Sequence, residues 1–299
     1  MRVWFVAILA AALTACGAPQ QAGGIVVTTN ILGDIVRNVV GDAADVRVLM
    51  QPNADPHSFG VSAQDAAAMS TAGLIVYNGL GLEENITRNV ESASEAGVPT
   101  LPVGDRIDPI HYTDGDSEGA PDPHFWTDPQ RMITAVDAIE DAVLAEMDGI
   151  DAATVSQNAQ TYRTRLRDLD AAMAAGFGDI PVERRKLVTN HHVLGYLAQR
   201  FGFTVVGAIV PSGTTLAAPS ASDLQSLVGA IRTAGVPAIF VDSSQPEKLA
   251  RVLARDAGVN VQIVSLYSES LSPPGTPAAT YLDMMRANTD AIVTGLRQP

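Results

Sequence analysis

The stretch DAATVSQNAQTYRTRLRDLDAAMAAGF, residues 151–177, carries apolar side chains at Val155, Ala159, Tyr162, Leu166, Leu169, Met173 and Phe177. The intervals of 4, 3, 4, 3, 4 and 4 residues, with polar and charged side chains between, describe one buried stripe of an α-helix. Asp151 supplies a cap. A helix of this length spans about 40 Å at a rise of 1.5 Å per residue, long for a globular protein. It lies in mid-chain between two series of strand and helix patterns, so it reads as a rigid interdomain strut rather than a coiled-coil arm.

Upstream, β-branched runs alternate with helical patterns. Residues 25–29 read as a strand, followed by a helix to about Val40 capped by Asn30. A strand at 46–50 leads into the loop holding His57, and Ser62 caps a helix over 63–71. A strand at 74–77 meets Asn78-Gly79-Leu80-Gly81-Leu82-Glu83, which turns into a helix to about Ala96, and a strand follows at 100–103. Asp128-Pro129 opens a helix lined by Met132, Val136, Ile139 and Val143.

Downstream, strands are expected at 186–189, 204–208, 237–241 and 259–265, separated by helices, with a last helix from about Ala279. The pattern predicts an α/β protein of two lobes with mainly parallel sheets joined by one long helix. The expected division is 25–150 for the first lobe, 151–178 for the linker helix and 179–299 for the second lobe.

The N-terminus is set apart. Arg2 precedes an apolar run from Val3 to Leu13, too short to span a bilayer and suited to a secretory leader. Leu13-Thr14-Ala15-Cys16 resembles a bacterial lipobox, which implies a signal peptide over 1–15, cleavage before Cys16, a lipid on its sulfur and a tether over 16–24. Cys16 is the one cysteine of the chain, so with it lipidated, disulfides, thiolate metal ligands and cysteine nucleophiles are excluded from the mature fold. The formal net charge of −14 argues against nucleic acid or anionic lipid as a partner. The membrane is reached through the lipid anchor alone.

The chemistry centres on histidine, of which the chain has five. Asp55-Pro56-His57 and Asp122-Pro123-His124 repeat one tripeptide, in which proline stiffens the loop that presents the imidazole. His57 and His124 follow strands of the first lobe, and His191 and Glu269 follow strands of the second. Ligands of open parallel sheets bind beyond the carboxyl ends of the strands, so facing lobes bring these four into one cleft. Three imidazoles and a carboxylate suit Zn2+ and admit other divalent ions. Asp242, also at a strand end, is the runner-up carboxylate, and neighbouring His192 is expected to diverge from His191. Phe125 and Trp126 are expected to pack the His124 loop. Residues 104–121 read as a mobile acidic loop, with Asp108, His111, Asp114, Asp116 and Glu118 as a candidate capture site for cations, against a solvated insertion with His111 unoriented.

The motifs Asp55-Pro56-His57, residues 78–83, Asp122-Pro123-His124-Phe125-Trp126, Thr189-Asn190-His191 with Gly195-Tyr196, residues 240–244 and Leu266-Tyr267-Ser268-Glu269 occur in order over nearly the whole chain. Together they resemble the cluster A-I metal-binding solute-binding proteins of bacterial ABC transporters, the zinc and manganese group. The resemblance implies two α/β lobes tied by a long helix, with His57, His124 and His191 on family ligand positions. Glu269 stands where the family commonly has aspartate, and His191 where manganese-type members often carry glutamate. The implied protein is a monomeric, extracytoplasmic, lipid-anchored Zn2+ receptor, with Mn2+ as the alternative, serving a membrane permease and its ATPase. It makes and breaks no bonds.

Two other classes compete. A zinc hydrolase would use three histidines, a water and Glu269 as general base, but no His-Glu-x-x-His or Gly-x-Ser-x-Gly pattern is present. A surface adhesin on the same scaffold finds no repeat to support it.

Overall fold

A computed structural model describes residues 23–258 and 261–297. The leader, Cys16 and the tether as far as residue 22 lie outside the described residues. In chain order the first half holds β1 (Ile25–Val27), α1 (Asn30–Val40), β2 (Val46–Val48), α2 (Ala63–Met69), β3 (Leu74–Tyr77), α3 (Thr87–Glu95), β4 (Thr100–Pro102) and α4 (Pro129–Glu146). Then come α5 (Ala152–Gly178), β5 (Lys186–Thr189), α6 (Gly195–Phe201), β6 (Thr204–Ala208), α7 (Ala221–Ala234), β7 (Ala238–Asp242), α8 (Lys248–Ala257), β8 (Gln262–Leu266) and α9 (Tyr281–Arg297). Among the described residues, no helix is long and apolar enough to cross a membrane.

The strands form two four-stranded sheets with the same layout, β2-β1-β3-β4 and β6-β5-β7-β8, and every pairing is parallel. Helices cover both faces, so central β1 and β7 are buried along their whole length, and β1 reads as a continuous apolar run, as does β7 up to Val241. Edge strands β2 and β8 are only partly buried and alternate with polar residues. The segments that follow β2, β4, β5 and β8 carry the residues of interest.

Helix α5 covers 27 residues, and Asp151 caps it by accepting from the Thr154 amide at 3.2 Å. All seven stripe positions, from Val155 to Phe177, are buried. The helix packs on α1 and α4 of the first lobe and on α9 of the second. At its far end Phe177 meets Phe201 and Phe203 edge-on, at ring separations of 5.1 and 5.0 Å. One hydrophobic core therefore runs from β1 along α5 to α9, and the strut is a shared spine embedded in both lobes.

Four local expectations change. Asn30 is not the cap of α1: Thr29 fills that place, and Asn30 is the first helical residue. The helix expected from Glu83 begins only at Thr87, because Gly79, Leu80 and Gly81 take left-handed backbone with φ of 76, 56 and 81°. The buried Glu83 carboxylate then closes that turn, accepting from the amides of Asn78 and Gly79 at 2.7 and 3.1 Å and from the Thr28 hydroxyl at 2.7 Å. The helix after His192 starts only at Gly195, since the His192 amide donates to Ser212 O at 3.0 Å and the Thr189 hydroxyl to His191 O at 2.6 Å. Residues 104–121 are not a free loop. His111 and Pro121 form an antiparallel bridge, the Tyr112 amide donates to Ala120 O at 3.0 Å, and the Asp116 amide crosses to Pro211 O of the second lobe at 2.9 Å.

Candidate metal centre

Both Asp-Pro-His tripeptides fold alike. Proline commits the chain to a turn, and the aspartate carboxylate accepts the backbone N–H of the histidine two residues on, at 2.9 Å for Asp55 to His57 and 2.9 Å for Asp122 to His124. The second carboxylate oxygen of Asp55 reaches across the cleft to the Thr215 hydroxyl at 2.6 Å and the Gln245 amide at 3.2 Å. Asp122 turns back on its own histidine, with Oδ1 2.8 Å from His124 Nδ1. A carboxylate only accepts, so Nδ1 carries the proton and Nε2 presents its lone pair.

The four residues expected from strand ends do converge. His57, His124, His191 and Glu269 are the one group among the described residues with three or more His, Cys, Asp or Glu donors close enough to share an ion, all donor atoms lying within 4.8 Å of one another. His124 Nε2 is 3.3 Å from His57 Nε2 and 3.4 Å from His191 Nε2. Glu269 Oε1 is 3.1 Å from His191 Nε2 and 3.8 Å from His124 Nε2, and Oε2 is 3.9 Å from His57 Nε2. A tetrahedral shell with bonds of about 2.0–2.1 Å needs donors about 3.3 Å apart; three of these pairs stand at 3.1–3.4 Å and the other two at 3.8 and 3.9 Å. All four side chains are at most 1% exposed.

Among the described residues, the buried side-chain atoms without a hydrogen-bond partner are His57 Nδ1 and both Glu269 oxygens. Buried polar atoms left so cost about 1–3 kcal/mol each, and a cation between the four residues would satisfy the carboxylate. The electrostatics match. Burial, helped by the neighbouring His124 and His191, drives His57 down to about 2, so it is neutral. Burial pushes the Glu269 carboxyl up, against the pull of His191 and His124. Burial would also lower His124, but Glu269 and Asp122 outweigh it and hold its proton more tightly than usual. Both shifts run towards the protonated form, so protons compete with a metal ion for this pair.

The other candidates lie elsewhere. Asp242 is buried but outside the donor group: its Oδ2 accepts from Ser268 N at 2.9 Å, Ser268 Oγ at 2.8 Å and Glu269 N at 3.0 Å, while Oδ1 takes the Ser244 amide at 2.7 Å and the Ser244 hydroxyl. Its carboxylate holds the loop of Glu269. Asp108, His111, Asp114, Asp116 and Glu118 are exposed and stand apart from the donors; Asp108 pairs with Arg131 at 3.2 Å. His192 diverges from His191, as expected, with Nε2 3.8 Å from Asp114.

Sequence reasoning missed several residues that shape the site. The Trp126 ring donates from Nε1 to Ser268 O of the second lobe at 2.8 Å, and Tyr281 Oη donates to Trp126 O at 2.7 Å, so this aromatic bonds as well as packs. The side chain of Asn30 donates to Gln51 O and to Ser270 Oγ and accepts the Leu271 amide at 2.9 Å, gripping the chain just after Glu269. Tyr112, the one aromatic ring besides His111 in the acidic stretch, has its hydroxyl 3.1 Å from His124 Nδ1. Its isolation among acidic residues was the signal available.

Fold and site together define a bilobed α/β protein that closes a buried His3Glu donor set between its lobes. The model of the family described as zinc-uptake complex component A, periplasmic, matches residues 25–295, and the chain belongs to that family. Its members are metal-binding, substrate-binding receptors of ABC transporters, which work with a permease and an ATPase. The chain is 30% identical over 274 residues to the iron-binding protein YfeA of Yersinia pestis, covering 92% of this chain and 86% of that one. It is 29% identical over 300 residues to the manganese-binding lipoprotein MntA of Halalkalibacterium halodurans, covering 99% and 97%. The solved periplasmic zinc-binding protein TroA of Treponema pallidum superposes with a TM-score of 0.83 at 30% identity, covering 93% of this chain and all of that one. These relatives are named for three different metals.

Proposed function

We propose that this protein is an extracytoplasmic, high-affinity Zn2+ receptor that hands its ion to an ABC importer through a permease driven by an ATPase. His57, His124 and His191 act as nitrogen ligands and Glu269 as the fourth ligand. The observation that carries the reading is the set of four converging, buried donors, all within 4.8 Å of one another, with an unpartnered carboxylate among them. Three imidazoles favour zinc over manganese, which prefers oxygen and higher coordination. Manganese is the second reading, supported by the relative named for that ion.

The receptor acts as a monomer, tethered by a lipid on Cys16 after removal of residues 1–15, with residues 25–150 and 179–299 as lobes about the helix 151–178. It is not a hydrolase. In the fourth position Glu269 stands among the donors, 3.1 Å from His191 Nε2, rather than set back behind a water as a general base would be. The test is calorimetric titration of stripped protein with Zn2+ and with Mn2+, on the parent and on His124→Ala and Glu269→Ala. Submicromolar zinc binding, weakened at least tenfold in both variants, is expected; parent affinity no better than micromolar, or unchanged variants, would sink it.

A further inference from the structure

The acidic stretch between β4 and α4 folds back on itself and lies across the cleft. On the first-lobe side, Tyr112 Oη is 3.1 Å from His124 Nδ1 and donates to Asp122 Oδ1 at 3.2 Å. On the second-lobe side the same hydroxyl is 3.4 Å from His192 O. Beyond it, the Asp116 amide donates to Pro211 O at 2.9 Å and the Gly213 amide to Ser117 Oγ at 2.9 Å. Two glycines make this approach close. A Cβ on Gly213 would stand 2.5 Å from Tyr112 Oη and 2.6 Å from its ring, and one on Gly115 would stand 2.5 Å from Pro211 O. Gly115 also has a φ of 75°, which glycine adopts without strain. The Tyr112 ring is thus seated in a notch of the opposite lobe, and its hydroxyl rests on the carboxylate that orients a histidine of the donor set.

From this geometry we propose that residues 109–121 form a strap latched across the cleft, and that Tyr112 is a positioning residue which retains the bound ion by tying Asp122 and His124 to the second lobe at Gly213. The inference rests on the reading of His124 as a metal ligand. Release requires His124 and His191, which stand on opposite lobes, to separate. That separation must first draw Tyr112 out of its notch. The latch therefore acts on the rate of release and leaves the rate of capture unchanged. Groups that orient a metal ligand change affinity about 10–100-fold when removed.

The experiment loads the purified full chain with Zn2+ and follows release into excess chelator by stopped flow, with association measured separately. The parent is compared with Tyr112→Phe, Gly213→Ala and the double variant, and the melting of the stripped proteins is recorded alongside. Each single variant is expected to release zinc about tenfold faster, with association unchanged, the stripped proteins still melting cooperatively and the double variant no faster than the faster single one. Gly213→Ala touches no proposed ligand, so a purely local effect of the tyrosine would not reproduce it. Release at the parent rate in either single variant, or additive acceleration in the double, overturns the latch while leaving the receptor intact. A parent that binds no zinc overturns the receptor reading itself.

Discussion

Asp242 and Glu269 are joined through the backbone: the Glu269 amide donates to Asp242 Oδ2 at 3.0 Å. The buried carboxylate at the end of β7 thereby fixes the loop after β8, and with it the only acidic member of the donor set. Asp242→Ala leaves the amides of Ser244, Ser268 and Glu269 without their acceptor. Hydrogen bonds to a charged group are worth about 1.5–3 kcal/mol each, so the melting temperature should fall by many degrees. Metal affinity should fall about 10–100-fold by calorimetry, although Asp242 touches no ion. Affinity equal to the parent would show that Glu269 needs no such support.

The pH dependence of the metal-free protein has a definite sign. His57 is held at about 2 when folded and titrates near 6.5 when unfolded, so between these values the unfolded chain binds one more proton. Its contribution to stability is present above 6.5 and is lost as pH falls, at up to about 1.4 kcal/mol per pH unit. His124 and Glu269, both raised, act in the opposite sense: their contributions are present at low pH and are lost as pH rises through their folded values. Urea denaturation of the parent and His57→Gln between pH 5 and 6.5 isolates the first effect. The variant should lose less stability on acidification; equal slopes would contradict a neutral buried His57.

Metal uptake should compete with proton binding at His124 and Glu269, whose shifts both favour the protonated form. Calorimetry of zinc binding at a series of pH values, repeated in buffers of different ionisation enthalpy, should report proton release that grows as pH falls and is smaller in Glu269→Gln. Proton release unaffected by that substitution would assign the proton elsewhere.

Bound zinc should raise thermal stability, by about 2.7 kcal/mol at a hundredfold excess over the dissociation constant. Leu166→Ala, at a fully buried point of α5, should cost about 2–5 kcal/mol in both the loaded and the stripped protein and leave this increment unchanged. A smaller metal-induced increment in Leu166→Ala would show that the spine bears on the site directly.

The spine and the donor set were legible for the same reason: both are periodic or repeated. Seven apolar positions at helical intervals could bury only one way, and histidines placed after strands of parallel sheets had one place to meet. What stayed hidden depends on partners remote in sequence. Asn30 has the composition of a cap, and only its reach to Ser270 and Leu271, some 240 residues on, reveals its use. Glu83 has the composition of a first-turn helix residue, yet its carboxylate is taken by the turn before it. The acidic stretch looked mobile because its order comes from backbone pairing within it and from the second lobe, through Pro211 and Gly213, and not from any apolar pattern of its own.

Helix α5 has one more consequence. A connection anchored in a common core from Val155 to Phe177 has little torsional compliance, since any twist between the sheets shears all of those side chains at once. Ion exchange in such a molecule draws on short excursions of the cleft loops, and a permease that unloads it has to pry at those loops instead of swinging one half away from the other.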